Sequence, residues 1–513
     1  MTRLSSPSDA PVDVLLAHSY FLTYDPKQVQ KMRPYPPLAT LYAASNLRSA
    51  GYSVALFDAM LASGEAEFVD ALERYRPRWV AIYEDNFNFL TKMCLSRMRE
   101  AACAMADAAA AAGAVVIVAG SDVSDHPEVY LGHAPYALLG EPDHSLREVV
   151  DALGGRTQAA VAEIPGVAVA DRGAPGGVRR AARRAPERHP DCFPFPAWDL
   201  VDVERYRSAW TRAHGFYSVN MVTTRGCPFH CNWCAKPIWG QRYAMRSPAN
   251  VAEELAMVKK LLRPDHVWFA DDIFGLRPEW VTEFAREVRE RDAAVPFMIQ
   301  SRVDLMTDGA VKALAEAGCA EVWLGAESGS QKILDAMEKG TELGEIRAAR
   351  ARLKAAGIRA CFFIQFGYPG ETFEDILATV QLVRETLPDD IGVSVSYPLP
   401  GTRFHELVKQ QLGPKTNWVD SDDLAMMFQG TYESTFYRHL HRLLHQDLTL
   451  RTRLGQGGGA TSPPEELLRD LDRLSAGWLE LGRLEATYRS AAPTRVALPL
   501  LEHPAPDLSK EWN

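Results

Sequence analysis

The 513-residue chain lacks any uninterrupted apolar run of the ~18–20 residues a helix needs to cross a bilayer, so no membrane span is expected. Residues 1–11 hold one Arg followed by Ser and Pro, without the apolar core of a signal peptide. The expected location is the cytoplasm. A basic excess is also missing. Asp and Glu outnumber Lys and Arg by 66 to 56, giving a net charge of −10, which argues against a general phosphate-backbone binder. Without a basic groove or an aromatic platform, a nucleic-acid partner is not expected. Cysteine is scarce and unevenly spread: Cys94, Cys103, Cys192, Cys227, Cys231, Cys234, Cys319 and Cys361. Three of these crowd together and the rest are scattered, unlike a disulfide framework. In a reducing cytoplasm, metal binding is the better reading of the crowded set. No Gly-x-Gly-x-x-Gly follows the first strand, which leaves a nucleotide-phosphate site weakly supported.

What is present is a globular composition, 47% hydrophobic, on a chain long enough for roughly three domains of about 150 residues. The first 170 residues alternate strand-like and helix-like segments. Strands are expected at 12–17, 54–58, 79–83, 114–119 and 136–139, and helices at 38–50, 66–75 and 90–112, with Gly51 and Gly113 as helix stops. This alternation predicts an α/β, doubly wound, Rossmann-like parallel sheet over 1–170. Residues 171–214 read as a linker: Gly/Pro-rich at 173–177, basic at 179–188, and alternating aromatics with Pro at 193–198. The basic run reads as a solvated face rather than a docking site. A second βα series occupies 215–400, with strands expected at 218–223, 266–270, 297–301, 321–324, 360–366 and 392–397. Six units predict a partial (β/α)6 barrel, whose chemistry lies at the carboxyl ends of its strands. Residues 401–513 read as mostly helical, broken at 455–459, with a Pro-rich tail from 491.

The segment Thr224-Arg225-Gly226-Cys227-Pro228-Phe229-His230-Cys231-Asn232-Trp233-Cys234 follows the first barrel strand. Three close thiolates on one loop can hold three irons of a cubane and leave the fourth open. A zinc site is the competing reading. It needs a fourth ligand, for which His230 is the candidate, because no second Cys pair exists.

Cys-x3-Cys-x2-Cys after a first barrel strand resembles the signature of radical S-adenosylmethionine (SAM) enzymes. That resemblance implies a [4Fe–4S] cluster on Cys227, Cys231 and Cys234, with SAM chelating the open iron. Reductive cleavage of SAM then gives a 5′-deoxyadenosyl radical. It implies supporting groups at later strand ends: Asp271 and Asp272 toward the SAM amino group, Arg302 toward its carboxylate, and Glu327 and Ser328 toward ribose and carboxylate. Gly367 and Gly370 would pass close to adenine. Read from the residues alone, Asp271, Glu327 and Glu371 serve equally well as helix N-caps or first-turn acids. Cys319 and Cys361 read as core residues.

A doubly wound domain ahead of such a barrel resembles the cobalamin-dependent radical SAM family. The resemblance is carried by Pro36-Pro37-Leu38, by 51–54, by Gly120-Ser121-Asp122, by Gly140-Glu141, by 195–199, and by 236–240 and 243–247. It implies cobalamin at the strand ends, near Gly120, Ser121, Gly140 and Glu141, with Glu84 in a loop under the cobalt. The Asp-x-His-x-x-Gly motif that supplies a cobalt ligand in other cobalamin proteins is absent, and His18, His126, His133 and His144 lack its context. A domain that keeps the fold without the cofactor is the alternative. The implied activity is C-methylation of an unactivated carbon in a small molecule, with an electron donor such as flavodoxin or ferredoxin. Oxidative cyclisation or ring rearrangement is the first alternative, and a non-catalytic cobalamin- or zinc-binding scaffold the second. A specialised metabolite, a lipid or a tetrapyrrole are all open as substrate. Trp418, Phe428, Tyr432, Phe436 and Tyr437 line the substrate pocket on one reading and fill the core on the other, which helical spacing favours.

Overall fold

The computed structural model describes residues 11–83, 96–236, 238–412, 424–456 and 465–490. The N-terminal sheet contains β1 (Val14–His18), β2 (Val54–Phe57), β3 (Trp79–Tyr83), β4 (Val115–Ala119), β5 (Tyr136–Leu138), β6 (Val167–Ala170) and β7 (Val178–Arg180). They lie in the order β2-β1-β3-β4-β5-β6-β7. Strands β1 to β5 pair in parallel, and β6 and β7 add antiparallel at one edge. All five residues of β1 and of β3 are buried, as a sheet covered on both faces requires. Alternate residues serve different layers. Val14 and Leu16 join a core continuous with the barrel, while Leu15 and Ala17 pack with Phe68, Leu72 and Met105 from the helices Ala66–Tyr75 and Ser96–Ala111.

The segment expected as a linker is more structured than its composition suggests. Strand β7 pairs with β6 at Ala168↔Arg180 to Ala170↔Val178. Its Arg179 and Arg180 are exposed on the sheet edge, where charge discourages further strand pairing. The helix Val203–His214 buries Tyr206 and Trp210. Tyr206 donates to Asp58 (2.7 Å), and Trp210 Nε1 to the Pro34 carbonyl (2.6 Å).

The second body contains β8 (Ser218–Met221), β9 (Thr224–Arg225), β10 (Ala244–Met245), β11 (His266–Phe269), β12 (Phe297–Ser301), β13 (Cys319–Glu327), β14 (Arg359–Phe366) and β15 (Asp390–Val395). The six long strands run β15-β14-β13-β12-β11-β8, each parallel to its neighbour. This is the expected open (β/α)6 barrel. Side-chain caps start its helices where the sequence offers them: Ser247 before Pro248–Leu261, Thr307 before Asp308–Ala317, and a Thr372/Asp375 capping box before Phe373–Thr386. Strand β13 runs further than expected, to Glu327. Its register shifts after Gly325, and Glu327 takes φ +58°. Helices Arg403–Leu412, Ser434–Gln456 and Glu465–Leu484 form the C-terminal region.

Candidate functional site

The three cysteines occupy a loop whose two ends are fixed. At its start, Asp271 beyond β11 accepts hydrogen bonds from Thr223 N (2.7 Å), Thr223 Oγ1 (2.5 Å) and Thr224 N (2.9 Å). Burial pushes the Asp271 carboxyl up to about 6, against the pull of those bonds. Asp271 therefore buttresses the end of β8 and caps no helix. Gly226 follows with φ +77°, and a Cβ there would stand 2.3 Å from the Arg242 carbonyl oxygen, so a side chain is sterically excluded. Beyond the first cysteine, Asn232 donates from Nδ2 to Ala336 O (2.8 Å) and from its backbone N to Met337 O (3.1 Å). Its Oδ1 accepts from Tyr368 Oη (2.9 Å). Lys236 Nζ donates to Phe229 O across the loop.

Cys227, Cys231 and Cys234 form no disulfide and are half-buried. Burial pushes the Cys227 thiol up to about 12, with Lys236 opposing, and the charges of Cys234 and Asp272 raising it further. A metal must therefore displace its proton. Among the described residues, one group of three His, Cys, Asp or Glu donors lies within 4.8 Å of one another, and it is not this one. A single zinc brings its sulfurs to about 4 Å apart, so the loop spreads its thiols wider than one ion requires. His230 is exposed. The donor set fits a polynuclear iron–sulfur cluster better than zinc.

The other strand ends converge on the same mouth with fewer free groups than expected. Arg302 lies over the Phe229 ring (3.8 Å to the ring centre) and donates to Asp304, Lys339 O (2.8 Å) and Gly340 O (3.0 Å). It acts as a strut beneath the cysteine loop. Glu327 is buried and paired with Lys339 Nζ at 2.8 Å. Ser328 Oγ lies 3.2 Å from Thr379 Oγ1 and accepts from Ser330 N at 3.1 Å. Asp272 is half-buried on the Cys227 side. Gly367 (φ +75°) is met by Met426 and the Tyr437 ring from the C-terminal region, while Gly370 (φ +86°) faces open space. Glu371 accepts from Gly367 N at 2.7 Å, and burial pushes its carboxyl up to about 8. Phe428, Tyr432, Phe436 and Tyr437 are buried, with Tyr432 stacked on Phe436 at 4.0 Å; they are core residues. Trp418 lies outside the described residues.

In the N-terminal sheet, Ser121 is buried at the start of the short helix after β4, following Gly120 at φ +142°. Ser124 Oγ donates to Gly120 O (2.8 Å) and accepts from Gly140 N (3.0 Å), joining the turns after β4 and β5. Glu141 is committed elsewhere. Its carboxylate accepts from Arg225 Nη1, from Trp239 Nε1 (3.2 Å) and from Glu187 N (2.6 Å). Asp143 accepts from the same Arg225 nitrogen at 3.0 Å. The turn after β5 is thus bonded to the cysteine loop. Neither Arg225 nor Lys339 was picked out from the sequence, because nothing local marks their distant partners. His18, His133 and His144 face the carboxylates of Asp58, Asp107 and Glu187 at 2.9, 2.9 and 3.1 Å. Glu84 lies outside the described residues.

Residues 221–383 match the model of the radical SAM superfamily. The chain is 28% identical over 309 residues to an uncharacterized methyltransferase of Pyrococcus horikoshii, covering 59% of this chain and 65% of that protein. It is 25% identical over 348 residues to bacteriochlorophyllide d C-8(2)-methyltransferase of Chlorobaculum tepidum, covering 64% and 70%. Its fold resembles that of the radical SAM methyltransferase TsrM of Kitasatospora setae, solved with cobalamin and a [4Fe–4S] cluster bound. The TM-score is 0.63, with 19% identity and 79% of each chain covered. No described helix is long and apolar enough to cross a membrane.

Proposed function

From the match of residues 221–383 to the radical SAM superfamily model, we propose that the chain is a cobalamin-dependent radical methyltransferase acting on an unactivated carbon of a small molecule. Cys227, Cys231 and Cys234 hold the [4Fe–4S] cluster. Asp272, Glu327 and Gly370 would hold SAM at the barrel mouth, and the turns at Gly120-Ser121 and Gly140 would hold cobalamin. The observation that carries the reading is the buttressed three-thiol loop at the end of β8, joined through Arg225 to the turn after β5. Support for cobalamin comes from the doubly wound sheet, which takes ligands beyond its strand ends where strand order reverses, here between β1 and β3. The methyltransferases among its relatives and the cobalamin-bound neighbour of the same fold point the same way.

When bound, the cluster and SAM supply one-electron reductive cleavage, and cobalamin supplies methyl transfer; the hard chemistry belongs to the cofactors. The chain's own residues position and seclude. Asp271 sets the height of the cysteine loop. Arg302 braces it from below through the Lys339 and Gly340 carbonyls, and the Lys339 ammonium pairs with Glu327 at the mouth. Met426 and Tyr437 pack over Gly367 at the end of β14. The electron donor is a flavodoxin or ferredoxin reaching the cluster from outside the barrel.

The test is anaerobic reconstitution with iron, sulfide and cobalamin, followed by SAM and a strong reductant. Formation of both 5′-deoxyadenosine and S-adenosylhomocysteine, with the first lost in a Cys227/Cys231/Cys234→Ala variant, supports the reading. Formation of 5′-deoxyadenosine alone favours a cyclase or rearrangement enzyme. Neither product, in a protein that also fails to retain iron, overturns it.

A further inference from the structure

Away from the barrel mouth, the fold assembles a mixed donor set that no local motif announces. His144 lies in the first turn of the helix Asp143–Leu153, and Glu187 and Cys192 lie on the segment that runs from β7 toward the barrel. One donor atom from each, an imidazole nitrogen, a carboxylate oxygen and a thiol sulfur, lies within 4.8 Å of the other two. No other trio among the described residues meets that condition. Two of the three are oriented by other groups. The His144 ring packs on Phe193, with centroids 5.0 Å apart, and its Nε2 stands 3.1 Å from Glu187 Oε2. Glu187 Oε1 is occupied by the His189 backbone N–H at 2.9 Å, which leaves Oε2 facing the imidazole. Cys192 is exposed.

We infer that His144, Glu187 and Cys192 form a binding site for a zinc-type divalent cation, with water from the open side as fourth ligand. Nitrogen, oxygen and sulfur together suit a borderline-soft ion that tolerates mixed ligands. A tetrahedral zinc separates its donors by about 3.3–3.8 Å; His144 Nε2 and Glu187 Oε2 already stand 3.1 Å apart, so the adjustment falls to the Cys192 sulfur, which lies within 4.8 Å of the other donors. The exposed Cys192 side chain can do this by rotation about χ1. Binding forms the metal–sulfur bond and releases the thiol proton to solvent; no electrons are transferred.

The location gives the site a role. Glu187 N donates to Glu141 Oε2 at 2.6 Å, and the Phe193 ring lies under the Arg225 guanidinium at 4.4 Å. A metal here would staple the segment 187–193 to the N-terminal sheet, over the buried joint between that sheet and the cysteine loop. The inference does not depend on cobalamin or on the reaction catalysed.

The test uses the full chain with its iron–sulfur cluster already reconstituted, so that the loop cysteines are occupied. Co2+ is titrated anaerobically as a spectroscopic stand-in, then displaced with Zn2+. The expected result is a single Co2+ per chain with a thiolate-to-cobalt charge-transfer band, lost on Zn2+ addition. C192S should abolish the band, and H144A and E187Q should each weaken binding at least tenfold. All three keep an exposed or half-exposed surface position, and unchanged far-UV circular dichroism confirms that they fold. Zn2+ should raise the thermal midpoint of the wild type and not that of C192S. Absence of a charge-transfer band, a band that survives in C192S, or equal weak affinity in all variants would overturn the inference.

Discussion

Glu141, just beyond β5 of the N-terminal sheet, is buried against Arg225, which lies immediately before Gly226 and the first cluster cysteine. Their side chains are 1% and 5% exposed. Asp143 shares the same guanidinium at 3.0 Å. Burial pulls the Arg225 guanidinium down, and the two carboxylates more than offset that, leaving it firmly charged. One cation thus ties the turn after β5 of the N-terminal sheet to the cysteine loop.

Removing Glu141 leaves Asp143 facing the buried Arg225 and takes an acceptor from the Trp239 and Glu187 N–H groups, so the loss should approach the ~3–5 kcal/mol of a broken buried pair. Glu141→Ala should therefore lower the denaturation midpoint markedly. Glu141→Gln, which keeps an acceptor for Trp239 and leaves Asp143 as the counter-charge, should lower it less. Urea titrations followed by fluorescence and circular dichroism check the order. Equal midpoints for wild type and Glu141→Ala would mean that the joint is not formed in solution.

Gly226 offers a sharper test of the cysteine loop. A Cβ would lie 2.3 Å from Arg242 O and 3.1 Å from Trp239 Cβ, at φ +77°. Backbone strain of this kind costs about 1–3 kcal/mol before the clash is added. Gly226→Ala should lose most of its iron after reconstitution, while Gly370→Ala, whose Cβ meets nothing within 4 Å, should keep it. Iron and sulfide per chain are the readout, with circular dichroism as the folding control.

The strands and the cysteine loop were legible because their signals are local. Trp79–Tyr83 is a short apolar run, Ala66–Tyr75 an amphipathic helix, and the thiols sit three and two residues apart just past β8. Strand β7 was not legible. It has three residues, two of them Arg, and is a strand only because β6 offers it an edge. The partners of Arg225, Glu327 and Cys192 were hidden for a related reason. Lys339 is folded back onto Glu327 by the turn after the helix Gln331–Ala336, and His144 lies near Cys192 although the two are far apart along the chain. Such pairings leave no period in the sequence. Arg302 shows the converse: an Arg at a strand end invites a ligand role, but its position is explained by Asp304 and two carbonyls.

Glu371 predicts a pH dependence. Its carboxyl is raised from 4.5 to about 8 by burial, so the folded state binds a proton that the unfolded state has released. For an acid shifted upward, stability is greatest below the unfolded value and falls as pH rises from about 4.5 to about 8. Asp271, raised from 3.8 to about 6, adds a fall in the same direction between those values. Glu371→Gln keeps an acceptor for Gly367 N and removes the titration. Its denaturation midpoint should change less than that of the wild type between pH 5 and pH 8, and should exceed it at pH 8. Parallel curves would show that Glu371 stays ionised.

Lys339 and Glu327 lend themselves to a double-mutant cycle. Burial lowers the Lys339 ammonium, while Glu327 and the neighbouring Cys231 raise it further than burial lowers it. Lys339→Met strands Glu327 in a site where its side chain is 6% exposed; the expected loss is roughly 3–5 kcal/mol. Glu327→Gln alone strands Lys339 by the same logic. Removing both charges together leaves neither stranded, so the double variant should be more stable than the sum of the single losses predicts, by at least ~1 kcal/mol. Stability, measured by urea unfolding of the cluster-free chain, separates this structural pairing from any role in SAM binding. SAM affinity, measured by anaerobic equilibrium dialysis on the cluster-loaded chain, should fall in both variants that lack the Glu327 carboxylate, and should not recover in the double variant. Recovery of affinity along with stability would assign Glu327 to scaffolding alone.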